Sequence, residues 1–299
     1  MPWIVRRATD RDKPGLNDGA GSKSPSHQRR LADSRYTGST PYHWGRIFGL
    51  ADLKKSIVIT GASSGLGAGM AREFAARGYD LGLCARRTER LEALRDELTQ
   101  AHGGRVELRA LDVSDHPRVF TVFREFQQRF GTLDRVIVNA GVGEGRRLGT
   151  GHFELNKRTA ETNYVAALAQ VEAAMEIFRE QKRGHLVLIS SMSAMRGLPR
   201  HLTNYAATKA ALAHLGEGLR AELLGSQIKV STLYPGYIRT EMNEGAKKLP
   251  FEVSEAVGSR ALAHAIEREP ATACVPGWPW TLLGLLMRVL PLRVVAKLN

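Results

Sequence analysis

The run Ser56-Ile57-Val58-Ile59-Thr60 leads directly into Gly61-Ala62-Ser63-Ser64-Gly65-Leu66-Gly67, and an amphipathic helical pattern follows through Arg77. A short apolar strand, a tight glycine-rich turn and a helix in immediate succession leave few folds open. Glycine accepts positive φ and lets a ligand approach the backbone. The exposed N–H groups and positive dipole end of the following helix favour an anion there. Gly61, Ser63, Ser64, Gly65, Leu66 and Gly67 are therefore candidate contacts to the pyrophosphate of a dinucleotide. The glycine spacing is not the G-x-G-x-x-G form, so the rest of the chain must carry part of the argument.

Apolar runs of four to six residues recur between helical patterns. The pattern predicts strands at 56–60, 80–84, 105–110, 134–138, 185–190, 228–233 and 272–276. Helices are expected at 65–77, 88–102, 115–130, 152–163, 165–181 and 203–224, with a helical region within 240–268. Uninterrupted strand-helix alternation reads as an α/β, Rossmann-like doubly wound parallel sheet of seven strands, buried on both faces. Gly78, Gly103 and Gly131 stand where helices should stop.

The chain has 299 residues and a formal net charge of +13. Residues 1–50 hold nine Lys/Arg against four Asp/Glu. They show no sustained apolar period and are expected to form a disordered basic extension, either native or ahead of a true start near Leu53. The remaining charge is spread, with no basic block interleaved with aromatics, so no nucleic-acid partner is expected. Cys84 and Cys274 are the two cysteines. That count fits a reduced, cytoplasmic setting, and the N-terminus lacks the apolar core of a secretory signal. His185, His201, His214 and His264 show no metal-ligand spacing, and no metal site is expected.

Further pieces occur in order: Leu111-Asp112-Val113, Val138-Asn139-Ala140-Gly141, Asn163, Ser191, Tyr205 with Lys209, and Pro235-Gly236. With the glycine turn they resemble the short-chain dehydrogenase/reductase family over about residues 54–276. The resemblance implies oxidoreduction of a carbonyl or secondary alcohol on a small molecule. By resemblance Tyr205 is acid/base, Ser191 polarises the substrate oxygen, Lys209 holds the nicotinamide ribose, and Asn163 supports a water that relays protons. Asp112 meets the adenine amino group and Val113 supplies backbone. Asn139, Ala140 and Gly141 border the adenosine, Pro235 and Gly236 open the loop after the sixth strand, Ile238 meets the carboxamide, and Thr240 lies near the diphosphate. Homodimers or homotetramers through helices 165–181 and 203–224 are implied as well.

The residues themselves add to this. Tyr205 and Lys209, four apart on a helix, share a face, so the ammonium together with the positively charged oxidised nicotinamide is expected to draw the phenol toward the working pH. Ser191 competes with Ser193, because the interval to Tyr205 is about one residue longer than the family's; its place at the end of a strand favours Ser191, and Ser190 and Ser193 are expected to serve loop backbone. After the second strand the chain has Arg86-Arg87 in place of a carboxylate, which argues for NADP(H), with Arg86 as the principal contact and Arg87 assisting. Asp112 has a second reading as a helix cap, a role Ser114 fits better. Gly141–Gly145 is expected to be a mobile loop beside the cleft.

Two other function classes remain open at this level. One is a non-catalytic NADP-binding sensor. The other is a serine hydrolase, since Gly61-Ala62-Ser63-Ser64-Gly65 fits the G-x-S-x-G nucleophile elbow, although only one strand precedes Ser63. The tail 278–299 is apolar and basic, too proline-interrupted to span a bilayer. It is expected to cover the substrate mouth or a subunit interface, with peripheral membrane contact as the alternative.

Overall fold

The computed structural model describes residues 55–243 and 249–297. The expected extension at 1–50 lies outside the described residues. Among those described, seven parallel strands form one sheet in the order β3-β2-β1-β4-β5-β6-β7. The strands are β1 (Ser56–Thr60), β2 (Asp80–Ala85), β3 (Val106–Ala110), β4 (Arg135–Val138), β5 (Arg183–Ile189), β6 (Gln227–Pro235) and β7 (Thr272–Val275). Helices α1 (Gly65–Ala76), α2 (Thr88–His102) and α3 (His116–Phe130) connect the first four strands. Next come α4 (Phe153–Ala160) and α5 (Ala166–Gln181) before β5, then α6 (Leu202–Glu222) before β6 and α7 (Glu255–Glu267) before β7. The chain closes with α8 (Gly277–Val289) and α9 (Leu292–Val295).

Alternation along each strand divides the core in two. Val58, Val136, Val138, Leu186 and Leu188 face the layer of α3 and α5, while Ile57, Ile59, Ile137, Val187 and Ile189 face that of α1 and α7. Both faces of β1 and β4 are closed to solvent, which is why these strands read as unbroken apolar runs. The strand order reverses between β1 and β4. Their carboxyl ends therefore diverge into connections on opposite faces and leave a crevice, the usual ligand position in such sheets.

Three expectations change. Residues 153–181 form one continuous helical run rather than two helices, because a π-helical turn at Glu161–Val165, with Ala166 N–H donating to Glu161 O, absorbs the irregularity. The cap of α3 is Asp115, whose carboxylate accepts from Arg118 N–H at 3.2 Å, not Ser114 or Asp112. The Gly141–Gly145 loop is tied at both ends. Asn163 exchanges two hydrogen bonds with the Val142 backbone (2.8 and 2.9 Å), and Asn156 does the same with Arg146 (2.9 and 3.2 Å).

Candidate active site

At the carboxyl end of β1 the chain turns with φ +66° at Gly61. A Cβ on Gly61 would stand 2.9 Å from Ala140 Cα, and one on Gly67 would stand 2.3 Å from Gly61 O and 2.8 Å from Asn139 Nδ2. These are distances that real side chains do not reach. Thr60 ties the two sides of the crevice together, its Oγ1 accepting from the N–H groups of Asn139 (3.0 Å) and Ala140 (3.1 Å), while Asn139 Nδ2 donates to Thr60 O at 2.9 Å. The glycines thus hold open a floor on which a flat, anionic ligand can lie against backbone. We expect Gly67→Ala to destabilise the fold by several kcal/mol, since the backbone on both sides must part; urea denaturation checks this, and an unchanged midpoint would show that the turn yields.

Ser64 precedes α1 in extended conformation (φ −167°). The Arg87 guanidinium reaches across from the end of β2, with Nε donating to Ser63 Oγ (3.3 Å) and Nη2 to Ser64 Oγ (2.6 Å). Arg86 instead points outward, 72% exposed, with Nη1 3.9 Å from Asp112 Oδ2. The residue expected to assist is the one at the glycine turn, and the one expected to lead is on the rim. Sequence reasoning did not find Glu241, which accepts from Arg87 (3.1 Å) and from Arg90 (2.8 Å). Hydrogen bonds from Arg87, Arg90 and Ser64 hold the Glu241 carboxyl down at about 2.

Asp112 accepts from Ser114 N–H at 3.0 Å, and Val113 is buried in the core below it. Leu66 is half-buried at the start of α1. Thr240 faces the glycine turn, its Cβ 3.4 Å from where a Cβ on Gly65 would be. Ile238 is buried and bridged to Val253. Pro235 ends β6, and Gly236 lies beneath the Trp280 indole, which a Cβ there would meet at 2.1 Å.

Tyr205 and Lys209 lie on α6, Ser191 follows β5 by two residues, and Asn163 sits in the π-helical turn. These four groups, from three segments, converge. The Lys209 Nζ lies 6.0 Å from the Tyr205 ring centre and donates to Ile189 O at 2.9 Å. Ser191 lies beside the phenol and favours its ionised form against the effect of burial. Asn163, 1% exposed, also donates to Thr208 Oγ1 at 3.4 Å. Gly141 stands between them: a Cβ there would sit 3.1 Å from Asn163 Oδ1 and 3.4 Å from Lys209 Nζ. The two polar tips thus converge where a side chain is missing.

The other serines separate cleanly. Ser190 Oγ is buried and donates to Lys209 O at 2.8 Å, a backbone task on α6 rather than on the loop. The Ser193 N–H donates to Ser191 Oγ at 3.1 Å, so the Ser191 hydroxyl accepts from backbone and keeps its own proton to donate. His185 is a packing residue: Arg135 donates to its Nδ1 (2.8 Å), Ser231 Oγ lies 2.8 Å from its Nε2, and burial pushes its pKa down to about 3.

Among the chain's own groups, burial raises the Tyr205 phenol above its ordinary value, with Ser191 acting the other way, and burial lowers Lys209 to about 8. Desolvation penalises both charged forms, so the ammonium alone does not bring the phenol down.

The profile of the short chain dehydrogenase family matches residues 55–249. The chain belongs to the short-chain dehydrogenase family. It is 52% identical over 245 residues to an uncharacterized oxidoreductase of Mycobacterium tuberculosis, covering 82% of this chain and 97% of that one. Farnesol dehydrogenase of Aedes aegypti is 32% identical over 230 residues, covering 75% and 91%. A solved short-chain dehydrogenase from Sphingobium yanoikuyae, in complex with NADPH, superposes with TM-score 0.68 at 29% identity, covering 80% of this chain and 97% of that one. Other solved structures of this fold hold NAD. Membership makes this short-chain dehydrogenase an oxidoreductase of the NAD(P)(H)-using kind and leaves the choice of nucleotide and substrate to its own residues.

Proposed function

We propose that this short-chain dehydrogenase moves hydride between NADP(H) and a carbonyl or secondary alcohol on a hydrophobic small molecule. The observation that carries the reading is the convergence of Tyr205, Ser191, Lys209 and Asn163 at the carboxyl end of β5. The crowding at Gly61 and Gly67 fits a nucleotide laid against backbone at the neighbouring switch point. When bound, the nicotinamide supplies or accepts the hydride. Tyr205 then gives a proton to the substrate oxygen in reduction and takes it in oxidation. Ser191 donates a hydrogen bond to the same oxygen and Lys209 meets the ribose. Asn163, fixed by the Val142 backbone, steadies the loop beside them and the proton path outward. Desolvation keeps the phenol protonated, as the proton donor of the reduction step must be.

Arg87 supports NADP(H). Its guanidinium already bridges two hydroxyls of the glycine turn and pairs with a carboxylate, a donor fork that matches a 2′-phosphate, while β2 ends without the carboxylate that would repel one. Glu241 takes the anion's part in that arrangement, and its low pKa keeps it ionised at assay pH. By calorimetry we expect NADPH to bind more tightly than NADH. Arg87→Leu should weaken NADPH by about tenfold or more while barely moving NADH, and Glu241→Gln should tighten NADPH several-fold. Tighter binding of NADH by the wild type would overturn the assignment. For the reaction, consumption of NADPH against a panel of aldehydes and ketones is the test; no turnover with any of them, together with NADPH binding, would favour the sensor reading. The farnesol dehydrogenase relative and the apolar wall formed by Met192, Met195, Tyr237 and Trp280 support a hydrophobic substrate. We further infer that the tail from residue 278 closes this side of the site, since Trp280 packs on that wall and Val295 on Leu198 and Ala206, the residue after Tyr205.

A further inference from the structure

Helix α8 is apolar on both sides. Its inner arc, Trp280, Gly284 and the half-buried Leu283 and Met287, packs on β7 and on the turn Met192–Met195. Its outer arc holds Leu282, Leu285, Leu286 and Val289, spaced three and four apart and therefore on a single stripe. Exposure rises to 61% at Leu285 and 70% at Val289, and Trp278 (77%), at a kink before the stripe, and Leu292 (59%), opening α9 after it, are exposed as well. A surface helix ordinarily turns a polar face outward. A contiguous apolar stripe left outside marks a surface made for contact.

Charge selects what that contact is. Arg288, Arg293 and Lys297 border the stripe, and none has a carboxylate partner among the described residues. No Asp or Glu occurs after Glu269 in the whole chain. A second copy packing face to face would set these cations against their own counterparts. Residues 1–50, with nine Lys/Arg against four Asp/Glu, are basic too and do not complement the rim. An anionic lipid surface complements both features, receiving Leu, Val and Trp side chains at the acyl boundary and the cations at the headgroups. No helix among the described residues is long and apolar enough to cross a membrane, so contact is with one leaflet.

We propose that the outer face of α8 and α9 docks this protein onto an anionic bilayer surface. The docking stands on this face alone. Only its consequence rests on the oxidoreductase reading: the inner face of the same helix walls the proposed substrate site, so a hydrophobic substrate would enter from the lipid side.

Flotation of the full chain with vesicles tests docking without any turnover. Phosphatidylcholine vesicles doped with phosphatidylglycerol are expected to carry the protein up the gradient, pure phosphatidylcholine to carry far less, and high salt to weaken the first. Leu285→Glu with Val289→Glu should abolish flotation while leaving the melting temperature unchanged, because both side chains are exposed. Arg288→Gln and Arg293→Gln should each weaken binding to the doped vesicles by about fivefold without altering the residual binding to neutral ones. Three results would overturn the proposal: no flotation of the wild type, equal flotation of the double glutamate variant, or a double variant that turns an oligomer into monomers while neither form floats. The last would assign the face to a second copy. Failure of the oxidoreductase reading shows separately, as absence of NADPH turnover in a protein that floats.

Discussion

Tyr205→Phe is expected to lower kcat for NADPH-dependent carbonyl reduction by about 10² to 10⁴, with NADPH affinity nearly unchanged. The substitution removes one oxygen. The ring keeps its place on α6, where Lys209 Nζ lies 6.0 Å from its centre, and loses a hydroxyl that stands beside Ser191. A hydrogen bond lost there costs about 1 kcal/mol, which in a domain of this size moves Tm by about 2–4 °C. Folding and nucleotide binding are therefore separable from the chemical step. Ser191→Ala is expected to fall in the same direction by a smaller factor, and Ser193→Ala to stay near wild type, since Ser193 reaches Ser191 Oγ through its backbone N–H, which alanine keeps. Steady-state loss of nicotinamide absorbance reads all three. Full activity in Tyr205→Phe would remove the proton-donor role. Loss of activity in Ser63→Ala, with phosphonate labelling of Ser63, would point back to the nucleophile elbow.

Lys209→Met should abolish most turnover and yet yield a more stable protein. The Lys209 side chain is 6% exposed, and burial lowers its pKa from 10.5 to about 8. The sign follows from proton counting. Between pH 8 and 10.5 the unfolded chain holds the proton that the folded chain has released, so stability from this group rises with pH across that window. Below it the full burial penalty is present. Methionine removes that penalty but also the donor to Ile189 O, which costs about 1–3 kcal/mol. The net gain expected at neutral pH is about 1–2 kcal/mol. Urea melts at pH 7 and pH 9.5 check it: the variant should lead at the lower pH, and the difference should shrink at the higher. A less stable variant at both would mean that the Ile189 bond outweighs the desolvation. The gain would mark Lys209 as a residue kept for function against the interest of the fold.

Much of this protein was legible before any coordinates. Burial of β1, β4 and β5 on both faces demands continuous apolar runs in the chain, so the seven strands fall within a few residues of the runs that announce them. The glycine turn is likewise local, because positive φ at Gly61 and Gly65 is a demand on those residues alone. Tyr205 and Lys209 needed only a helix to share a face.

Less was legible where partners come from distant segments. Arg86 and Arg87 are adjacent and chemically alike in sequence; the turn between β2 and α2 sends one to the rim near Asp112 and the other to Ser63 and Ser64. Glu241 is about 150 residues from Arg90, and nothing near either announces the pair. Asn156 reads as an ordinary helical polar residue, and Asn163 stands out only by resemblance, until the 141–146 loop is laid along them. The outward turn of Leu285 and Val289 is equally invisible, since α8 is apolar all round and only packing on β7 decides which side is covered.

The order of strands and helices, the positive-φ turn and the spacing of phenol to amine were set by the sequence itself, because each is a short-range property of backbone sterics and hydrophobic period. Which arginine meets the glycine turn, how burial moves the phenol and the ammonium, and which face of the last long helix looks outward were decided by the tertiary structure. Those depend on desolvation and on contacts between segments far apart in the chain, and neither quantity exists until the sheet has closed over its two cores.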